Sequence, residues 1–222
     1  MEQGIIHKMK CLETRLCLIT DTYICNMTVE EMVMAALGAG IRWIQYREKN
    51  ETRSVIYKEA LRLRQLTAEF GASFIVNDHA DIAAAVEADG VHLGQDDLPL
   101  KEARKIIGER IIGISTHSLS EAMKAEKDGA DYIGFGPIFR SSTKDAGEPS
   151  GVSALEEIKR NVNVPVVAIG GVLLENLGSV LNAGADAVAV VSAILKGEIS
   201  DNVRSFLEIT KRRCHNKNLV RY

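Results

Sequence analysis

Arg47 and Lys49, Asp78, Asp97 and Lys144 stand just after short apolar runs or in the loop that follows one. Their chemistry is that of a phosphate site bridged by a metal. Guanidinium and ammonium groups suit phosphate oxygens, and Arg can grip two at once. Asp78 follows the run Phe74–Val76, and Asp97 follows Gly90–Leu93. Carboxylates are hard oxygen ligands, and Mg2+ favours one or two of them together with substrate phosphate oxygens. Composition alone does not choose between Asp96 and Asp97 as the second ligand. Polar groups gather at neighbouring positions: Gln45, Glu48, Asn77, Gln95, Ser115, Thr116 and His117, then Ser141, Ser142 and Thr143 beside Lys144. Two later turns suit a second anion. Gly170-Gly171 offers amides without side chains, and Val191-Ser192-Ala193 offers N–H groups and a hydroxyl. Together these residues predict two phosphorylated small ligands, one a diphosphate with Mg2+ and the other a monophosphate.

Plainer roles compete at several positions. Asp78 has the type of a helix cap, and Arg47 with Glu48 that of a surface pair. His79 is read as structural or exposed, His92 as a satisfied interior histidine, and Trp43 as core. For His117, ligand contact and a structural role stand side by side.

Convergence of these groups requires strands that end at one rim. Eight apolar runs qualify: Leu16–Thr20, Trp43–Tyr46, Phe74–Val76, Gly90–Leu93, Ile111–Ser115, Tyr132–Phe135, Val166–Ile169 and Ala187–Val191. They are short and lack polar alternation, as in a parallel sheet buried on both faces. Helical spacing appears between them at Glu30–Leu37, Thr52–Phe70, Lys101–Ile107, Ser120–Lys127, Ala154–Arg160, Glu175–Asn182 and Val203–Lys211. Ser118, Ser120 and Asp201 are candidate N-caps. A junction recurs as Ala39-Gly40-Ile41, Ala88-Asp89-Gly90-Val91, Asp128-Gly129-Ala130-Asp131 and Ala183-Gly184-Ala185-Asp186. Its glycine is read as the left-handed residue that stops each helix before the next strand. Regular alternation over 222 residues predicts an α/β chain folded as one (β/α)8 TIM barrel. An open doubly wound sheet is the alternative. Residues 1–14 are expected to be an N-terminal extension, 212–222 a flexible basic tail, and Pro137–Gly151 a long loop at the rim.

Charge and cysteine usage narrow the partners. Twenty-seven basic against 30 acidic residues give a net charge of −3, which argues against general nucleic-acid or membrane binding. Cys11, Cys17, Cys25 and Cys214 match no zinc pattern and are expected to be reduced thiols. No targeting segment or spanning apolar run is visible, so a cytoplasmic location is expected.

The motifs in series resemble the thiamine-phosphate synthase family. They are Ile44-Gln45-Tyr46-Arg47-Glu48-Lys49, Phe74-Ile75-Val76-Asn77-Asp78 and Asp89-Gly90-Val91-His92-Leu93-Gly94-Gln95-Asp96-Asp97. Ile112-Gly113-Ile114-Ser115-Thr116-His117, Gly134-Phe135-Gly136-Pro137-Ile138-Phe139, Thr143-Lys144, Ala168-Ile169-Gly170-Gly171 and Val190-Val191-Ser192-Ala193-Ile194 follow. The resemblance implies a Mg2+-dependent transferase. Its substrates would be an aminopyrimidine diphosphate and a thiazole phosphate or the carboxylated form of that thiazole. It favours Asp78 and Asp97 as the Mg2+ ligands. Gln45, Tyr46, Arg47, Glu48, Lys49, Asn77, Ser115 and Lys144 would hold the pyrimidine diphosphate, with Arg47, Lys49, Ser115 and Lys144 catalytic. Ser141, Ser142 and Thr143 would contact the thiazole phosphate, and Gly171, Val191 and Ser192 would complete its cradle. The family's loop usually reads Pro-Thr-x-Thr-Lys, whereas this chain has Arg140-Ser141-Ser142-Thr143-Lys144. Arg140 removes a rigid turn and adds a cation. A homo-oligomer is compatible with this reading. Two rivals on the same fold are a thiazole tautomerase-like isomerase, which would rely on a rim histidine such as His117, and a non-catalytic phosphate-binding regulator.

Overall fold

Val, Ile, Leu and Ala fill both faces of eight short segments, so each is stable only when covered on both sides. A computed structural model describes residues 10–140 and 148–217. The segments are β1 (Leu16–Ile19), β2 (Trp43–Tyr46), β3 (Ser73–Asn77), β4 (Gly90–Leu93), β5 (Ile111–Thr116), β6 (Tyr132–Phe135), β7 (Val166–Ile169) and β8 (Ala187–Val190). They pair in parallel in chain order, and β8 returns to β1, closing a barrel. The expected (β/α)8 TIM barrel is therefore the observed fold, and the open sheet is excluded.

The helices after β1 to β6 are α1 (Val29–Gly38), α2 (Arg53–Glu69), α3 (Ala80–Ala85), α4 (Leu100–Ile107), α5 (Leu119–Asp128) and α6 (Gly151–Asn161). Then come α7 (Leu174–Asn182), the single turn α8 (Ser192–Leu195) and α9 (Ile199–Lys217). The short α3 and α8 were not legible as periodic segments, because so few residues barely complete a hydrophobic repeat. Ser118 caps α5 as expected, its hydroxyl accepting from Glu121 N at 3.2 Å. Ser120 and Asp201, expected caps, instead lie inside the first turns of α5 and α9. Thr28 and Thr52 cap α1 and α2, and Glu31 completes a capping box with Thr28. The last helix, α9, runs as far as Lys217, into the segment 212–222 expected as a flexible tail.

Strand alternation sorts side chains into two cores. Ile44 and Tyr46 join the larger core between strands and helices. Cys17, Ile19, Trp43, Ile75, Ile111, Tyr132 and Val167 fill the barrel interior. Among the described residues no helix is long and apolar enough to cross a membrane.

The N-terminal end of the barrel is stitched by a repeated device. Asp89 precedes β4, and its Oδ2 accepts from Phe74 N at 2.7 Å and from Arg64 at 3.1 Å. Asp131, before β6, accepts from Ile112 N at 2.8 Å and from Arg104 at 2.7 Å. Asp186, before β8, accepts from Val166 N at 2.8 Å and from Lys159 at 2.7 Å. Each carboxylate thus ties an even strand to the preceding odd one and to the helix that leads into that odd strand. Before β2 the corresponding residue is Arg42, which donates instead to the carbonyls of Leu37 and Ile41. Arg15 closes the seam between β1 and β8 by donating to the carbonyls of Ala185 and Asp186.

The junction glycines are less uniform than expected. Gly40, Gly129 and Gly184 have φ of 109°, 95° and 100°, as a left-handed stop requires. Gly90 does not stop a helix. It lies within β4, where a Cβ would overlap Ile111, and Glu87 takes the positive φ of 55°.

Candidate active site

Parallel strands deliver their C-terminal residues to one mouth, so the loops after β2, β3 and β4 place Arg47, Lys49, Asp78 and Asp97 there, and the end of β5 places Ser115. The β2 end is held by β1. Thr20 is fully buried, and its hydroxyl accepts from Arg47 N at 2.9 Å and donates to Arg47 O at 3.3 Å. Both polar atoms of the Arg47 backbone are thereby fixed, and sequence reasoning missed this role for Thr20. Gln45 points into the barrel and donates from Nε2 to Asn77 Oδ1 at 2.8 Å, which locks two expected substrate contacts together.

Two other β2 positions fall elsewhere. Tyr46 was expected to touch substrate, but alternation turns its side chain outward into the helix-facing core. Its hydroxyl donates to Glu59 on α2 at 2.6 Å, and burial, then Glu59, push the phenol pKa far up. The side chain is a strand–helix tether and faces away from the mouth. Glu48 accepts from Thr22 at 3.3 Å and from Asn50 N at 2.7 Å, so its carboxylate braces the loops around the mouth.

The carboxyls of Asp78 and Asp97 are within hydrogen-bonding reach of one another. Asp78 adopts a φ of 66°, in the left-handed region, and donates its N–H to His92 O at 2.8 Å. Asp97 folds back so that its Oδ2 accepts from Gly94 N at 2.6 Å. Burial first, then the neighbouring Asp97, raise the Asp78 pKa to about 6, while Lys49 and Arg47 pull it down. Lys49 Nζ is 3.6 Å from Asp78 Oδ2. Two facing carboxylates repel, and a cation placed between them relieves the repulsion. Among the described residues no group of three or more His, Cys, Asp or Glu gathers as a metal cage. A two-carboxylate set leaves most of the coordination sphere to water and phosphate oxygens, which fits Mg2+.

Beneath the pair lies a buried polar chain. His92 Nε2 is 2.9 Å from Ser115 Oγ, and His92 Nδ1 is 2.9 Å from Tyr132 Oη. Burial lowers the His92 pKa to about 4. His92 is thus the satisfied interior histidine expected, and Tyr132 is a partner that no sequence signal singled out. Gln95 Nε2 donates to Ser115 O at 2.6 Å. At the rim, His117 Nδ1 lies 2.7 Å from Gly136 O, which anchors the ring and gives substance to its structural role.

The far side of the mouth is built by β7 and β8. Gly170 and Gly171 have φ of 90° and 65°. A Cβ at Gly170 would stand 2.6 Å from Pro137 Cα, and one at Gly171 2.6 Å from Arg140 O. The glycine pair is therefore required by the close passage of residues 137–140, apart from any anion it meets. That passage is bonded: Ile138 N donates to Ile169 O at 2.9 Å, and Phe139 N donates to Gly170 O at 3.0 Å. Ser150 N and Gly151 N return to Pro137 O and Ile138 O at 2.8 and 3.0 Å, closing the base of the loop. Val191 precedes α8, and Ser192 opens it. Ser141, Ser142, Thr143 and Lys144 lie outside the described residues.

The barrel and its mouth define a (β/α)8 enzyme class whose polar groups suit phosphorylated ligands. A family model described as thiamine monophosphate synthase matches residues 16–194, and the chain belongs to that family. The thiamine-phosphate synthase of Chloroflexus aurantiacus is 43% identical over 209 residues, covering 91% of this chain and 97% of its own. That of Lawsonia intracellularis is 49% identical over 187 residues, covering 83% and 86%. The solved thiamine phosphate pyrophosphorylase of Pyrococcus furiosus superposes with a TM-score of 0.86 at 39% identity, over 91% of this chain and 98% of that one.

Proposed function

We propose that the mouth joins an aminopyrimidine methyl diphosphate to a thiazole phosphate, giving thiamine phosphate and diphosphate. The single observation carrying this reading is the facing pair Asp78 and Asp97 with Lys49 3.6 Å from Asp78. The family's relatives bear the name of that activity.

In the reaction, the bond between the pyrimidine methylene carbon and the diphosphate oxygen breaks, and the oxygen keeps the electron pair. The carbon, its positive charge spread into the aminopyrimidine ring, is captured by the lone pair of the thiazole nitrogen. No proton has to be removed for the new C–N bond, so no nucleophile–base pair is required. The protein's tasks are positioning and charge stabilisation. Gln45 and Asn77, already linked, form the pyrimidine side of the pocket. Arg47, on its clamped backbone, and Lys49 bind diphosphate oxygens, and Lys144 and Ser115 complete that set. Asp78 and Asp97 would hold Mg2+, which when bound supplies positive charge to the departing diphosphate. Ser141, Ser142, Thr143, Gly171, Val191 and Ser192 take the thiazole phosphate. Soluble small molecules are the partners in this scheme, and the cytoplasm is its setting.

The test is product formation from the two purified substrates, followed by chromatography. Thiamine phosphate and diphosphate are expected in equal amounts, and only when both substrates are present. Binding of both ligands without product would favour the regulator, and product from the thiazole alone would favour the isomerase.

A further inference from the structure

The chain Tyr132–His92–Ser115 runs from the barrel interior to the mouth, and two of its members have no place in the scheme above. Tyr132 is 1% exposed and His92 8%. The Tyr132 ring stands edge-on to Trp43, with centroids 5.3 Å apart and planes at 81°. Glycine weakens a strand and often marks a close approach. Gly113 in β5 and Gly134 in β6 are such places: a Cβ on Gly113 would overlap the Tyr132 ring, and one on Gly134 would lie 3.1 Å from His92 Cε1. Two strands give up side chains so that these rings can stack beneath Ser115.

An imidazole bonded to a hydroxyl at each nitrogen uses one nitrogen as donor and the other as acceptor. The chain therefore has a direction. A phenol is a far stronger acid than an alcohol, which makes Tyr132 the better donor to an imidazole nitrogen. With Tyr132 Oη–H donating to Nδ1, the hydrogen of His92 sits on Nε2 and is donated to Ser115 Oγ. The serine oxygen is then occupied as an acceptor, and its own hydrogen is left for an acceptor in the mouth.

We propose that Tyr132 and His92 are positioning residues whose hydrogen-bond chain presents Ser115 to the pyrimidine diphosphate as a hydrogen-bond donor. This rests on the reading of Ser115 as a contact of that substrate, and the test separates the two.

The variants are Ser115→Ala, Tyr132→Phe and the double mutant, each measured for kcat, for KM of the pyrimidine diphosphate and for Tm. Y132F should lower kcat/KM about 10-fold, roughly 1.4 kcal/mol, and should lower Tm by only a few degrees, because it also leaves one buried imidazole nitrogen unpaired. S115A should cost more, and the double mutant should be no worse than S115A, because the chain acts only through the serine. A Y132F penalty that persists in full in the S115A background overturns the proposal, as does wild-type kinetics in Y132F. A wild-type S115A removes the assignment of Ser115 itself. If Y132F does not fold, His92→Gln and His92→Leu replace it. The Gln amide nitrogen takes the place of Nε2 and can still donate to Ser115, so Gln should keep several-fold more activity than Leu, and equal activities would overturn the proposal.

Discussion

Asp89, Asp131 and Asp186 at the N-terminal end of the barrel each accept from a strand N–H and from a basic side chain. Asp78 and Asp97 at the other end face one another, with one lysine 3.6 Å from Asp78. The residue type is the same and the surroundings are opposite. At the first end every carboxylate has partners that favour its charge, so it stabilises the fold. At the second, charge is concentrated against itself, which is unfavourable until a cation arrives. Barrels of this class separate stability and chemistry onto opposite ends of the same strands, and here five aspartates trace that division.

Substitutions should pull the two ends apart. Asp97→Ala should reduce kcat on the order of 10²–10³, the usual cost of losing one group that stabilises developing charge. Its Tm should stay level or rise, as measured by steady-state kinetics and calorimetry. Asp131→Ala should do the reverse. Its side chain is 13% exposed and that of Arg104 26%. Loss of this partly buried pair should cost about 2–3 kcal/mol of folding free energy in urea unfolding, with kcat unchanged. If D131A loses activity at full stability, the division between the ends is wrong.

Between the two ends lies His92, which responds to pH. Its folded pKa is lowered to about 4 from an ordinary 6.5. The unfolded chain therefore binds the extra proton first, and stability falls as pH drops through the window from 6.5 to 4. Between pH 7 and pH 5 the loss should be about 2 kcal/mol in urea unfolding. In His92→Asn that part of the slope should vanish. Thr20→Val is the mildest change: it loosens the Arg47 backbone and should raise KM for the pyrimidine diphosphate roughly 5-fold, the worth of about one hydrogen bond.

The mouth was legible because its chemistry is carried by charged residues directly after apolar runs, and because the family motifs occur in order. The barrel was legible for the same reason: the strand runs are short and continuous, and five of the seven expected helices begin within two residues of their observed starts. What the sequence hid is relational. The junction repeat was visible, but its aspartates act across strands, and no spacing reveals that Asp131 meets Ile112 N and Arg104. Tyr46 sits within a matching motif, yet period-two alternation sends its side chain to Glu59. Gly170 and Gly171 read as an anion cradle, whereas the passage of Pro137 and Arg140 already demands them. His92 looked inert because its partners, Tyr132 and Ser115, come from two other strands.

The most direct test is the Mg2+ dependence of thiamine phosphate formation after chelation, compared between the wild type, Asp97→Asn and Asp131→Asn. The account predicts no product from the stripped wild type and saturable recovery with added Mg2+. It also predicts a half-saturating concentration raised at least about tenfold in D97N and unchanged in D131N. Full product formation by the stripped enzyme, or equal Mg2+ curves for D97N and the wild type, would contradict it.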